Sequence, residues 1–134
     1  MEYHVGRLLD HVHLRVRDLE ASRRFYEAAL GALGRDVSGG EGYFQSDELF
    51  VSGDGPPTEN LHLAFQTDGE EAVARFYDAA IAAGGRDNGA PGERPYHPGY
   101  YSAYVLDPDG NNVEAVHHGR ARRSAESVVL TPED

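Results

Sequence analysis

The chain of 134 residues has no cysteine, no lysine, no tryptophan and a single methionine. Each absence removes chemistry. Without cysteine there is no thiolate nucleophile, no disulfide, no iron–sulfur cluster and no thiolate-bound zinc. Without lysine there is no Schiff-base lysine. All 12 basic residues are therefore arginines, set against 23 acids for a formal net charge of −11. That imbalance argues against a nucleic-acid surface or a patch for anionic membranes, so neither is expected as a partner. No run approaches the roughly 20 apolar residues that cross a bilayer. The opening MEYHVGRLLDHVHLRV has acids and histidines where a secretory leader would have an apolar core. A cytoplasmic location is the expectation, and any catalysis falls to His, Asp, Glu, Tyr, Ser, Arg or a metal.

What the chain does contain is an internal repeat. The segment from Arg24 to Asp36, RFYEAALGALGRD, matches the segment from Arg75 to Asp87, RFYDAAIAAGGRD, with nine of 13 positions identical at an offset of 51. Two unrelated amphipathic helices would not share that many residues, so the chain reads as two related halves in tandem. The same offset carries His11 onto His62. Each half opens with an alternating run, His11-Val12-His13-Leu14-Arg15-Val16 and His62-Leu63-Ala64-Phe65-Gln66-Thr67. A period of two marks a strand with one apolar face and one polar face. His11, His13 and Arg15 share the polar face of the first, and His62, Ala64 and Gln66 that of the second. A helix follows each strand, with Asp18 and Asp68 expected as caps and Gly34 and Gly85 as stops.

The first half is expected to close with strands around 41–45 and 48–52, and Gly53-Asp54-Gly55-Pro56-Pro57-Thr58 is the linker. The second half closes with strands at 100–106 and 112–117 around the turn Asp107-Pro108-Asp109-Gly110-Asn111. Weaker early strands are expected near 35–38 and 86–88, and 88–99 reads as a long surface loop or cleft wall. The prediction is α+β: one domain over 1–118 in two modules, about 8–53 and 60–118, with a tail over 119–134. In the aligned hairpins Tyr43 falls opposite Tyr104, and Phe50 opposite Glu114. Glu114 is a carboxylate within an apolar strand, Val113-Glu114-Ala115-Val116. A lone charge there is costly unless it is satisfied. A divalent cation held by His11, His62 and Glu114 would satisfy it, and two imidazoles with one carboxylate form an open site suited to Lewis-acid or oxygen chemistry. The same residues could also line a wet, metal-free cavity.

The motifs Asp10-His11-Val12-His13-Leu14-Arg15-Val16-Arg17-Asp18-Leu19 continuing to Phe25-Tyr26, Leu61-His62-Leu63-Ala64-Phe65, and Asp107-Pro108-Asp109-Gly110-Asn111-Asn112-Val113-Glu114 resemble the vicinal oxygen chelate superfamily. Its members include glyoxalase I, bleomycin-resistance proteins, fosfomycin-resistance thiol transferases and extradiol dioxygenases. The resemblance implies paired βαβββ modules forming a partly closed mixed sheet around a metal-bearing cleft, often in a homodimer, with His11, His62 and Glu114 as ligands of zinc, nickel, iron or manganese. Glyoxalase I has a further acidic ligand where Phe50 stands here, with Glu48 two residues away. The likeness to extradiol dioxygenases implies a catalytic role for Tyr104, and for His97 as a nearby histidine. His13, Arg15, Phe50 and Tyr101 are expected to contact substrate. The leading expectation is a metalloenzyme that chelates a small oxygenated substrate through two oxygens, whether lyase, isomerase, thiol transferase or dioxygenase. The competing expectation is a metal-free, drug-sequestering protein, for which Tyr43, Phe50, Tyr96, Tyr100, Tyr101 and the acidic charge would form the cleft.

Overall fold

The computed structural model describes residues 3–125 and 127–133; Met1, Glu2, Glu126 and Asp134, at the ends of the expected domain and within the expected tail, lie outside the described residues. The repeat is reproduced in space. The first module comprises β2 (Val12–Arg15), α1 (Leu19–Ala32), β3 (Ser38–Gly40), β4 (Tyr43–Ser46) and β5 (Leu49–Ser52). The second comprises β6 (His62–Gln66), α2 (Glu70–Ala82), β7 (Arg86–Glu93), β8 (Tyr101–Leu106) and β9 (Asn112–His117). Their sheets have the same topology, β2-β5-β4-β3 and β6-β9-β8-β7. In each, the opening strand runs parallel to the last and the remaining pairs are antiparallel. The two mixed sheets remain separate, whereas a single partly closed sheet was expected.

Alternation along the strands decides what faces the helices. Leu14, Phe44, Leu49 and Val51 of the first sheet and Ala103, Val105, Val113 and Ala115 of the second are buried in one cluster with Phe25, Tyr26, Val73 and Phe76 of the helices. Their strand neighbours, among them His13, Phe50, His62, Tyr104 and Glu114, therefore occupy the opposite, outer faces.

Helix α1 buries Ser22, Phe25, Tyr26, Ala29 and Leu30, a stripe at helical spacing, and its cap is Asp18, whose carboxylate accepts from the Ala21 N–H at 3.1 Å. Helix α2 is not capped by Asp68. Its N-cap is Gly69, without a side-chain bond, and Glu70 and Glu71 in the first turn favour the helix dipole instead. At its other end the positive-φ residue is Gly84, while Gly85 serves a different purpose. A Cβ on Gly85 would lie 2.5 Å from Val105 Cγ1 and 2.7 Å from Phe25 Cε2, so the glycine permits close packing of module on module.

The turn after β8 is tied to the first helix. The buried Asp107 accepts backbone N–H groups of Asp109 and Asn111 through Oδ1 and the Tyr26 hydroxyl through Oδ2 at 2.7 Å. Burial, followed by the Asp107 charge, raises the Tyr26 phenol well above its ordinary range.

Two segments depart from expectation. Much of the expected 88–99 loop is strand: β7 extends to Glu93 despite Asn88-Gly89-Ala90-Pro91-Gly92, with register shifts on either side of Gly89. It is the edge strand of its sheet, where proline and bulges are tolerated. Within the expected tail, β10 (Val128–Leu130) pairs antiparallel with β1 (Tyr3–Val5), a ribbon that the repeat does not reveal.

Candidate functional site

The strand register puts Glu114 opposite Tyr104 on β8 and Ala64 on β6. In the first module Phe50 lies opposite Gln45 and His13. Phe50 is thus the counterpart of Glu114, as the repeat predicts, whereas the counterpart of Tyr104 is Gln45 rather than Tyr43. Only the second module carries a carboxylate at this position. Glu48 lies just before β5, two residues from Phe50, and its backbone carbonyl receives the Val12 N–H.

Glu114 is 1% exposed, yet both its oxygens are bonded. The His62 Nε2–H donates to Oε1 at 2.8 Å and the Tyr100 hydroxyl donates to Oε2 at 2.5 Å. Two such donors offset the desolvation that would make an unpaired carboxylate prohibitive. The Tyr100 phenol is pushed far above its ordinary value, first by burial and then by its hydrogen bond to Glu114 and that carboxylate's charge. It therefore stays a proton donor at physiological pH. Its ring packs edge-on against Tyr96, His97 and His118.

Tyr104 stands beside His62, with ring centroids 6.1 Å apart, and the Arg94 guanidinium lies 5.3 Å from its ring centroid. The close approach of Gly89 to Tyr104 Cδ2, where a Cβ would come within 2.8 Å, lets the edge strand pass under this ring. Ser102, on the same sheet face, has a buried hydroxyl without a hydrogen-bond partner among the described residues.

Of the other predicted residues, His97 is exposed on the loop over residues 94–100. Its Nδ1–H donates to the Pro98 carbonyl at 2.9 Å, which leaves Nε2 to accept from His118 Nδ1–H, also at 2.9 Å. Two ring contacts with Tyr100 are what link this histidine pair to the Glu114 cluster. Tyr101 takes the wrong parity for the outer face and packs against the core. The neighbouring Tyr100, which sequence reading grouped only with the cleft aromatics, makes the contact instead. Alternation along the strand expected at 100–106 puts Tyr100 on the face of Tyr104, and although β8 itself begins at Tyr101, Tyr100 keeps that side and reaches Glu114.

On the first module's outer face, His13 donates to Ser52 Oγ at 2.7 Å and Ser52 donates to Asp54 at 2.6 Å. Arg15 reaches the same carboxylate at 3.3 Å. The Asp54 carboxyl is held below its ordinary range, chiefly by the Ser52 hydrogen bond. Phe50 stacks on Tyr43 with centroids 5.5 Å apart and meets the edge of His13 at 5.0 Å. His11 is largely exposed, and its Nδ1 is bonded to Asp10 at 2.7 Å. That bond leaves its Nε2 lone pair directed elsewhere, the arrangement in which a second-sphere carboxylate orients a metal-binding imidazole.

His62 and Glu114 are therefore brought together, and His11 is not brought to them. Among the described residues no group of three His, Asp or Glu side chains could hold a metal ion.

The family model of the glyoxalase/bleomycin resistance protein/dioxygenase superfamily matches residues 8–115. The chain belongs to this superfamily. Among solved structures, it is similar to a glyoxalase/bleomycin resistance protein from Albidiferax ferrireducens T118, with 33% identity over 82% of this chain and 98% of that one and a TM-score of 0.69. A glyoxalase-related enzyme from Fulvimarina pelagi has a TM-score of 0.68 at 22% identity, covering 95% of this chain and 99% of that one. A superfamily enzyme from Burkholderia phytofirmans PsJN has a TM-score of 0.63 at 23% identity, covering 81% and 97%. These last two likenesses concern the fold. No curated protein matches the chain. Superfamily members bind small molecules, and no described helix is long and apolar enough to cross a membrane.

Proposed function

We propose that this superfamily member is a metal-dependent enzyme acting on a small oxygenated molecule that offers two oxygens to one divalent cation. The observation that carries the proposal is Glu114, a buried carboxylate with an imidazole nitrogen 2.8 Å away. The donor set fits a cation: an imidazole nitrogen and a carboxylate oxygen on neighbouring strands lie 2.8 Å apart, and His62 and Glu114 would hold a divalent metal once His62 Nε2 gives up its proton. Zinc, nickel, iron or manganese accepts this nitrogen–oxygen mixture. One chain supplies two donors, and an open catalytic site needs a third. His11 of the partner subunit in a homodimer is the proposed third ligand, since the first module contributes a histidine at the position equivalent to His62 and no carboxylate.

A bound cation would act as a Lewis acid toward developing negative charge on substrate oxygens. The protein's own groups do the rest. Tyr100, held protonated, fixes the Glu114 carboxylate, and Tyr104 on the same face presents a hydroxyl as proton donor. The Tyr43–Phe50 stack offers an apolar wall, with His13 and Arg15 beside it for polar groups of the substrate.

The test is elemental analysis of untagged protein purified without chelators. Near-stoichiometric metal in the wild type, lost in His62→Ala and Glu114→Ala, is expected. A second reading, a metal-free protein that sequesters a cationic small molecule, is favoured by the complete bonding of Glu114 within one chain and by the exposed ring of Tyr96. Absence of metal after reconstitution with all four ions, together with tight calorimetric binding of a cationic glycopeptide by stripped protein, would establish that reading.

A further inference from the structure

A cavity of about 700 Å³ lies away from the Glu114 cluster, where the C-terminal end of α1, the β4–β5 turn, the far end of β6 and the terminal segments meet. Four of the chain's 12 arginines line it: Arg7, Arg35, Arg122 and Arg123. Three carboxylates, Asp36, Asp47 and Glu48, line it as well, so among the described lining residues four guanidinium groups face three carboxylates in a molecule of −11. The arginines are not all neutralised. Arg35 pairs with Asp47 at 3.6 Å and Arg123 donates to Gln66 at 2.6 Å, while Arg7 and Arg122 have no ion pair or hydrogen bond to another described residue.

We infer that this cavity is a second ligand site, for a small molecule bearing a phosphate or carboxylate group. Guanidinium forks match those oxyanions in a bidentate geometry, and an anion is repelled by most of the remaining surface. The volume suits an organic ligand of modest size. Ser124 and Ser127 add polar contacts, and Ala125 and Val128 provide an apolar side for the ligand body. The site is built by residues on both flanks of the matched superfamily segment, since Gly6 and Arg7 on one side and residues 122–125, Ser127 and Val128 on the other fall outside 8–115. Among the described residues, the pairing of β10 with β1 and the Arg123–Gln66 bond hold that wall in place. Gln66 is four residues along β6 from His62, about 13 Å at strand rise. The cavity is thus separate from the site that would perform chemistry.

The test is calorimetric titration of the full chain with phenyl phosphate, benzoate and, as an uncharged control, phenol. One of the two anions is expected to bind, and which one binds identifies the oxyanion. Arg7→Ala and Arg122→Ala should each weaken that binding by roughly tenfold, the scale of a lost charge-assisted hydrogen bond. Arg122→Lys should fall between wild type and Arg122→Ala, because it keeps the charge and loses the fork. Both arginines are exposed, so these variants fold as the wild type does. His62→Ala should bind the anion as the wild type does. No binding of either anion, binding that matches phenol, or binding unchanged in both arginine variants would overturn the inference.

Discussion

Replacing Tyr100 with phenylalanine isolates one atom at the centre of the candidate site. The ring keeps its contacts with Tyr96, His97 and His118, at centroid distances of 4.9, 5.3 and 5.1 Å. What disappears is the 2.5 Å hydrogen bond to Glu114 Oε2, on a side chain that is 1% exposed and otherwise bonded through His62. Water has little access to take the vacated place. A hydrogen bond to a charged group contributes about 1.5–3 kcal/mol, and a buried acceptor left unsatisfied stays near the upper end of that range. For a domain of this size the loss corresponds to a fall in Tm of roughly 5–12 °C. Urea unfolding followed by circular dichroism, in the presence of a chelator so that the carboxylate has no other partner, measures it directly. An unchanged slope with a lower midpoint is expected. A loss below about 0.5 kcal/mol, the range of an ordinary surface substitution, would show that Glu114 does not depend on Tyr100, and the hydrogen-bonded triad with His62 would have to be abandoned.

Two further perturbations probe the frame around the site. The raised phenols of Tyr26 and Tyr100 give a stability contribution that is complete below the ordinary phenol value near 10 and is lost as pH climbs through their higher folded values; an ultraviolet titration of the eight tyrosines should show a late fraction that ionises together with unfolding. Full titration near the ordinary value while the fold persists would contradict those two assignments. Gly85→Ala should destabilise by about 1–3 kcal/mol through the overlap with Val105 and Phe25, whereas Gly31→Ala, whose Cβ would meet no described atom within 4 Å beyond its neighbours and its own helix backbone, should stabilise by about 0.4–1 kcal/mol. Equal effects in a denaturant series would mean that the modules do not meet at Gly85.

Much of this arrangement could be read in advance because the chain repeats itself. The offset of 51 that aligns Arg24 with Arg75 also aligns the opening strands, and a separate match of the terminal hairpins places Phe50 where the other half has Glu114; the register agrees at both points, though it puts Gln45 and not Tyr43 in the place of Tyr104. Tyr104 and Glu114 share a face because the closing hairpin pairs them directly, as its turn implies. Reading failed where local composition and tertiary context disagree. The Gly/Pro-rich 88–92 stretch has loop chemistry, yet it lies on a sheet edge that tolerates bulges. Asp68 is a capping residue type one position too early, and Gly69 takes the cap. Pairing of β1 with β10 joins the two ends of the chain, and no periodicity within either segment announces it. The site shows the same limit. His62 and Glu114 are joined by neighbouring strands, whereas His11, just before β2 of the other sheet, is not brought to them, and the repeat that aligns it with His62 carries no record of that separation.

Mixing two inactive variants tests that last relation most directly. If each metal site combines the first module of one copy with the second module of the other, His11→Ala and Glu114→Ala should each purify without metal, while a co-refolded mixture regains it. In every mixed dimer one site would join an intact His11 to an intact His62–Glu114 pair, so random pairing restores about a quarter of the wild-type metal content. Metal restored near that level would support a ligand set divided between two copies. A mixture as empty as its parents, with a wild type that is loaded, would contradict it.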